Sequence, residues 1–167
     1  MEIEYKKIGE KKNSNVKFDF EKGEIRLFGT RIASRNLLPV CEKIDKMFGT
    51  GGKVIIDCMA FEQGLQLFEA MTTNSPNKSK EELLTEMVDI QPQTGWGVTS
   101  LEIINDNPPK IEVTVKNPPV KTLQGSSKYL IGSFWAGVLF KYFSKQLKCA
   151  SFSYDEEEDK LHCIITA

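Results

Sequence analysis

The stretch from Tyr129 to Phe143 constrains this chain most. Only Gly132, Ser133, Gly137 and Lys141 interrupt an apolar run. A helix that is apolar nearly all round has to be enclosed. The rest of the chain must therefore cover it on several sides. Gly132, Ser133, Ala136 and Gly137 fall in i, i+4 pairs. Such small residues let another backbone, or a bound molecule, come close. Ser126 or Ser127 is the expected cap, and the helix is expected to run to about Leu147.

The covering elements follow from periodicity. Val16, Phe18 and Phe20 alternate with polar residues, and Ile25 and Leu27 do so on a return strand after Lys22-Gly23. That is a hairpin pattern, stopped by Gly29. Asn36 is the expected N-cap of a helix to Phe48, with Pro39 in its first turn. Leu37, Cys41, Ile44 and Phe48 form its apolar stripe. A second helix is expected over Lys53 to Met71, with Val54, Cys58, Phe61, Leu65 and Phe68 as its buried stripe. Ser79 followed by Glu82 is a capping-box pattern for a short third helix to about Asp89.

Gln91 to Gly97 breaks the helical pattern. Val98 to Ile104 reads as a strand, and Ile111, Val113 and Val115 mark its half-buried partner. Asn-Pro-Pro triplets at 107–109 and 117–119 bracket that partner and give it sharp ends. Cys149 to Tyr154 and Leu161 to Thr166 make a last hairpin around the acidic turn Asp155 to Asp159. The order β-β-α-α-α-β-β-α-β-β predicts an α+β fold, an antiparallel sheet with helices packed on it. Residues 1–15 are expected to be a flexible N-terminal segment and 16–167 a single domain.

Charge narrows the partners. Lys+Arg 22 against Asp+Glu 23 leaves a net charge of -1. No basic excess advertises nucleic acid or an anionic membrane. No apolar run reaches the roughly 18 residues of a membrane span. The polar, Lys-rich start does not look like a secretory signal, so the chain is expected to be cytoplasmic. Its four cysteines, Cys41, Cys58, Cys149 and Cys163, have no CxxC spacing and read as free thiols.

Catalytic machinery is hard to find. Gly49 to Gly52 lacks the ending of a phosphate loop and follows no strand. Gly125-Ser126-Ser127 reads as a helix cap rather than a nucleophile elbow. His162 is the single histidine. It adjoins Cys163 in a strand, so the two side chains point to opposite faces and make no dyad. Cys149 and Cys163 are expected on one face of the last hairpin, with 149 opposite 165 and 151 opposite 163. They read as a pair of small buried hydrophobes, as part of a metal site with only two thiolates in view, or as a redox pair. The run Asp155 to Asp159 lacks the alternating ligands and Gly of a calcium loop and reads as a solvated tip.

Trp96, held between Gly95 and Gly97, reads either as a pocket wall or as core beneath a loop. Phe134, Trp135 and Phe140 have the same two readings.

The order of these pieces resembles the 4-vinyl reductase domain family over roughly residues 30–167. The resemblance is carried by Thr94-Gly95-Trp96-Gly97, the strand pair, Asn117-Pro118-Pro119, Ile131-Gly132-Ser133-Phe134-Trp135-Ala136-Gly137 and the hairpin ending in Cys163. The helix from Gly51-Gly52 to Gly64 also looks like that family's upstream helix. The resemblance implies a fold shared with Golgi transport-particle subunits and haem–nitric-oxide sensors. It also implies a small-molecule or hydrocarbon-binding role, often as a dimer. Phenol-responsive members carry a zinc ion near the pocket. Of its ligand positions only Cys163 matches here, while Tyr129, Phe152 and Asp155 stand at the other three. Zinc is therefore expected to be absent, and no other cofactor is implied; Cys163, Cys149 and Asp155 would be the ligands if a metal bound.

The expectation is a non-catalytic, homodimeric binding domain for a small, largely apolar molecule, a sensor or carrier. Trp96, Phe134, Trp135, Val138, Phe61 and Leu65 are its candidate ligand residues. One alternative is a protein–protein interaction scaffold like the transport-particle subunits. A lesser one is an accessory subunit of a reductase.

Overall fold

The computed structural model describes residues 16–19, 24–28, 30–32, 38–119 and 128–167. Phe20, the Lys22-Gly23 turn, Gly29, Asn36, Leu37, Ser126 and Ser127 lie outside them, as do residues 1–15. The chain divides into two compact units, Met1–Ser34 and Arg35–Ala167.

The first unit holds a three-stranded antiparallel sheet, β1 (Val16–Asp19), β2 (Glu24–Leu27) and β3 (Thr30–Ile32). Val16 pairs with Leu27 and Asp19 with Glu24, the hairpin expected from the alternation. The third strand was not foreseen. Leu27 pairs with Thr30, and Phe28 between them takes a positive φ of 49°. That conformation turns the chain back into a third strand after β2 ends.

The second unit contains α1 (Leu38–Phe48), α2 (Gly51–Asn74), α3 (Lys80–Ile90) and α4 (Tyr129–Phe143). Its sheet has β4 (Val98–Asp106), β5 (Pro109–Lys116), β6 (Lys148–Asp155) and β7 (Lys160–Thr166), in the antiparallel order β4-β5-β7-β6. The fold is α+β. Both hairpins are sequential, and β5 joins β7 at the centre.

Alternation decides the faces. Ile111, Val113 and Val115 of β5 and Leu161, Cys163 and Ile165 of β7 are buried. Opposite neighbours Ile111–Ile165, Val113–Cys163 and Val115–Leu161 form the apolar rungs of the sheet. On the other face His162 meets Glu112, Nδ1 to Oε1 at 2.9 Å, and the Thr114 hydroxyl at 3.2 Å.

The helix α4 packs on β5, β6 and β7 and, most extensively, on α2. Leu130, Ile131, Trp135, Ala136, Val138 and Leu139 are all buried, as an all-round apolar helix requires. Fully burying a leucine, isoleucine or valine side chain stabilises by roughly 1.5–3 kcal/mol. The helix stops at Phe143, short of the expected Leu147, because Ser144 adopts a left-handed conformation at φ 55°.

The buried face of α2 shares only Phe68 with the expected stripe. It is Gly52, Ile56, Ala60, Gly64, Phe68 and Met71, while Val54 is 61% exposed and Cys58 is also exposed. Small residues form this seam because α2 and α4 touch backbone to backbone. A Cβ on Gly64 would lie 2.0 Å from the Phe134 carbonyl oxygen, and one on Gly137 2.0 Å from the Phe61 carbonyl oxygen. A pattern of large apolar residues cannot report such a contact.

The capping box of α3 is fully formed. The Ser79 hydroxyl accepts from Glu82 N–H at 3.2 Å, and the Glu82 carboxylate accepts from Ser79 N–H at 2.7 Å. Lys80, the first residue of α3, donates from Nζ to the carbonyls of Lys141 (3.2 Å) and Tyr142 (3.0 Å) in the last turn of α4. Lysines suit helix C-termini because the last carbonyls carry partial negative charge.

Candidate functional site

Three helices and one tight turn converge at the start of α4. Cys41 of α1, Ile56 and Ala60 of α2 and Leu130 of α4 are buried together. Ile44, Met59, Trp96, Tyr129 and Phe134 pack against them and are only partly buried. Trp96 and Phe134, two of the six candidate ligand residues, thus share one apolar cluster.

Trp96 reaches it through a specific backbone. A 3-10 turn over Pro92–Thr94 ends at Gly95, which is left-handed at φ 83°. The Trp96 N–H donates to the Gln91 carbonyl at 3.0 Å. Gly97 follows at φ 86°, and a Cβ there would lie 2.6 Å from the Lys116 carbonyl oxygen and 2.8 Å from that of Asn117. Only glycine meets both demands at position 97. The Trp is therefore presented from a turn locked against the end of β5.

The other four candidates lie elsewhere along the helix pair. Trp135 and Val138 are fully buried. The Phe134 and Trp135 rings meet edge to face with centroids 5.7 Å apart. Phe61 lies at the α2–α4 crossing and meets Phe140 at 5.9 Å. Leu65 is half-buried, one turn further along α2.

A polar edge borders the cluster. The Ser133 hydroxyl, buried on α4, donates to Asp57 Oδ1 at 2.7 Å. Lys53 Nζ pairs with Asp57 Oδ2 at 3.1 Å and stands 4.6 Å from the centre of the Tyr129 ring. The hydrogen bond to Asp57 raises the Lys53 pKa above its ordinary value. Burial, followed by the nearby Asp45 carboxylate, pushes the Cys41 thiol up. The neutral thiol and the apolar side chains around it leave the cluster uncharged. The sequence reading missed Cys41, Ile56, Ala60 and Leu130 as its walls. The i, i+4 recurrence of Gly52, Ile56, Ala60 and Gly64 was the available signal.

The last hairpin bears on the metal question. Cys149 faces Ile165 as expected, but a bulge between Cys149 and Ser151 shifts the register. Ser151 then faces Ile164, and Phe152 rather than residue 151 faces Cys163. The extra residue on β6 is the physical reason. Cys163 hydrogen-bonds with Cys149, and this bond, then burial, pushes its pKa up.

Tyr129 and Phe152 meet edge to face, centroids 5.0 Å apart. Asp155 accepts from the Glu157 and Glu158 backbone N–H groups in the turn. The four positions that the resemblance aligns with a zinc site thus hold an aromatic pair, a turn-forming carboxylate and one protonated thiol. They do not fit a zinc ion, which takes four N, O or S ligands. Among the described residues, no three His, Cys, Asp or Glu side chains gather as a ligand set. No helix among them is long and apolar enough to cross a membrane.

No family model and no curated protein sequence matches the chain. Among solved structures it is similar to the phenol-responsive sensory domain of the transcription activator PoxR, determined with phenol. That match has a TM-score of 0.64 and 12% identity, and covers 91% of this chain and 84% of that one. The chain is also similar to a vinyl-4-reductase family protein from Methanocaldococcus jannaschii, at 18% identity and a TM-score of 0.42, over 80% of this chain and 96% of that one. The arrangement of α1–α4 on β4-β5-β7-β6 is the fold of the phenol-responsive sensory domain.

Proposed function

We propose that this chain is a non-catalytic binding domain for a small, largely apolar molecule, with the Trp96–Phe134 cluster as its site. The carrying observation is that cluster: a buried apolar floor with two large, half-buried aromatics on it. Ligand sites are apolar concavities with few polar groups, and Lys53, Asp57 and Ser133 supply such groups at one edge. The shared fold with a phenol-responsive sensory domain supports a sensing role, with a monocyclic aromatic as the first ligand to try. No cofactor enters this reading. A cytoplasmic setting suits such a sensor.

Self-association belongs to the same reading. Met47, 64% exposed, and Val54, 61% exposed, stand on α1 and α2 with Val40, Phe48 and Ile55 also exposed. Apolar residues grouped on a surface mark association sites, which supports a homodimer through this face.

The test is a titration of the full chain with phenol, toluene and benzoate, followed by tryptophan fluorescence and thermal shift. Saturable binding is expected, weakened about ten-fold or more by Phe134→Ala in a variant that circular dichroism shows folded. Binding that never saturates, or that Phe134→Ala leaves untouched, would refute the assignment.

A further inference from the structure

We propose that Cys149 and Cys163 form an oxidation-sensitive dithiol, in which Cys149 reacts with a peroxide and Cys163 closes the disulfide. This modification site stands apart from the ligand site and does not depend on it.

A β-bulge builds the pair. Ala150 is the extra residue on β6, between Cys149 opposite Ile165 and Ser151 opposite Ile164. Bulges of this kind re-aim side chains, and here Cys149 and Phe152 both turn toward α4. A Cβ added to Gly132 would lie 2.5 Å from Cys149 Sγ and 2.7 Å from the Phe152 ring. Cys163 faces Phe152 on the buried side of β7. The two sulfurs therefore meet on one face of the hairpin, where the Cys163 thiol hydrogen-bonds with Cys149.

The two thiols are unequal. Cys163 is fully buried, while Cys149 is partly exposed, its Sγ 3.5 Å from the Ser151 carbonyl. Lys53 Nζ, over the Tyr129 ring, is close enough for its charge to act on Cys149. A cation beside an accessible cysteine assists attack on an oxidant, because the reacting sulfur carries negative charge. Redox-responsive cysteines combine such access with a neighbouring thiol that resolves the first product. The other cysteines serve as internal controls. Cys41 is buried among apolar side chains, and Cys58 is exposed on α2.

The chemistry balances with hydrogen peroxide as the oxidant. The Cys149 sulfur attacks one peroxide oxygen. An S–O bond forms, the O–O bond breaks and a water leaves, giving a sulfenic acid at Cys149. The Cys163 sulfur then attacks the Cys149 sulfur. An S–S bond forms, the S–O bond breaks, and the hydroxyl departs with the Cys163 proton as a second water. The dithiol gives up an electron pair, and the peroxide takes it.

The experiment treats the reduced full chain with hydrogen peroxide, alkylates the remaining thiols under denaturing conditions and maps the peptides by mass spectrometry. Of its four thiols, the monomer is expected to lose two, with the Cys149 and Cys163 peptides joined by a bond that dithiothreitol reverses. Cys58→Ala should behave as wild type. Cys163→Ala should stop at a sulfenic acid on Cys149 that dimedone traps, and Cys149→Ala should leave Cys163 unoxidised. Retention of all four thiols, oxidation confined to Cys58, or over-oxidation of Cys149 without a link to Cys163 would each overturn the proposal. The wild-type peptide map decides the matter even if a cysteine variant fails to fold.

Discussion

Gly64 of α2 and Gly137 of α4 each sit against the other helix's backbone. A Cβ on either would come within 2.0 Å of a carbonyl oxygen, of Phe134 or of Phe61. Alanine at a helix interior ordinarily gains up to about 1 kcal/mol over glycine. Here that gain is outweighed, because the obstacle is backbone and cannot rotate away. Gly64→Ala and Gly137→Ala should each lower stability by about 1–3 kcal/mol or more, read as a shift of the urea midpoint. Gly51→Ala is the control. Its Cβ would meet only Phe48 Cβ at 3.9 Å, so it should be neutral or slightly stabilising.

Ser79 and Glu82 satisfy each other's backbone at the start of α3. Ser79→Ala removes the acceptor for Glu82 N–H and should cost about 1 kcal/mol. Ser79→Gly should cost only a few tenths. A thermal melt of the two variants beside wild type reads the difference.

Alkali should destabilise the protein through its buried thiols. The hydrogen bond with Cys149, then burial, holds the Cys163 pKa above its ordinary value of 9.0. Once the pH passes the unfolded value, the unfolded chain releases this proton and the folded chain keeps it. Stability from this group is therefore complete below pH 9.0 and lost as pH rises beyond it, by at most about 1.4 kcal/mol per pH unit. Cys163→Ala should flatten the slope between about pH 9 and 10. Tyr154, pushed up to about 12 by the hydrogen bond to Asp159, titrates above that window. Equal slopes for variant and wild type would contradict the assignment.

Metal removal should change nothing. Tyr129 and Phe152 meet ring to ring at a position that the zinc-bearing pattern gives to ligands. Prolonged exposure to a strong chelator should leave the melting temperature and the phenol titration unaltered, and elemental analysis should find well under one zinc per chain. A chelator-induced loss of stability would show that the hairpin recruits an ion after all.

The α+β class, both hairpins of the larger sheet and the α3 cap were legible because each is written locally. Ile111, Val113 and Val115 announce a face, and Ser79 with Glu82 announces a start. Other features were not legible, because no residue type in the sequence marks them. The seam of α2 is small because α4 lies on it. The bulge at Cys149 moves Phe152 opposite Cys163 without any turn residue to mark it. The walls Cys41, Ile56 and Leu130 come from three helices that no single stripe relates. Trp96 was singled out by its flanking glycines, and the backbone explains both: Gly95 turns left-handed, and Gly97 leaves no room for a side chain.

The lysine that opens α3 also closes α4. Because Lys80 holds the carbonyls of Lys141 and Tyr142, the short helix cannot lift away without exposing the end of the long one. Amide exchange in the final turn of α4 should therefore follow the opening of α3 rather than fray independently. The two helix ends, about sixty residues apart in sequence, would then open together, so a change that loosens either end registers at both.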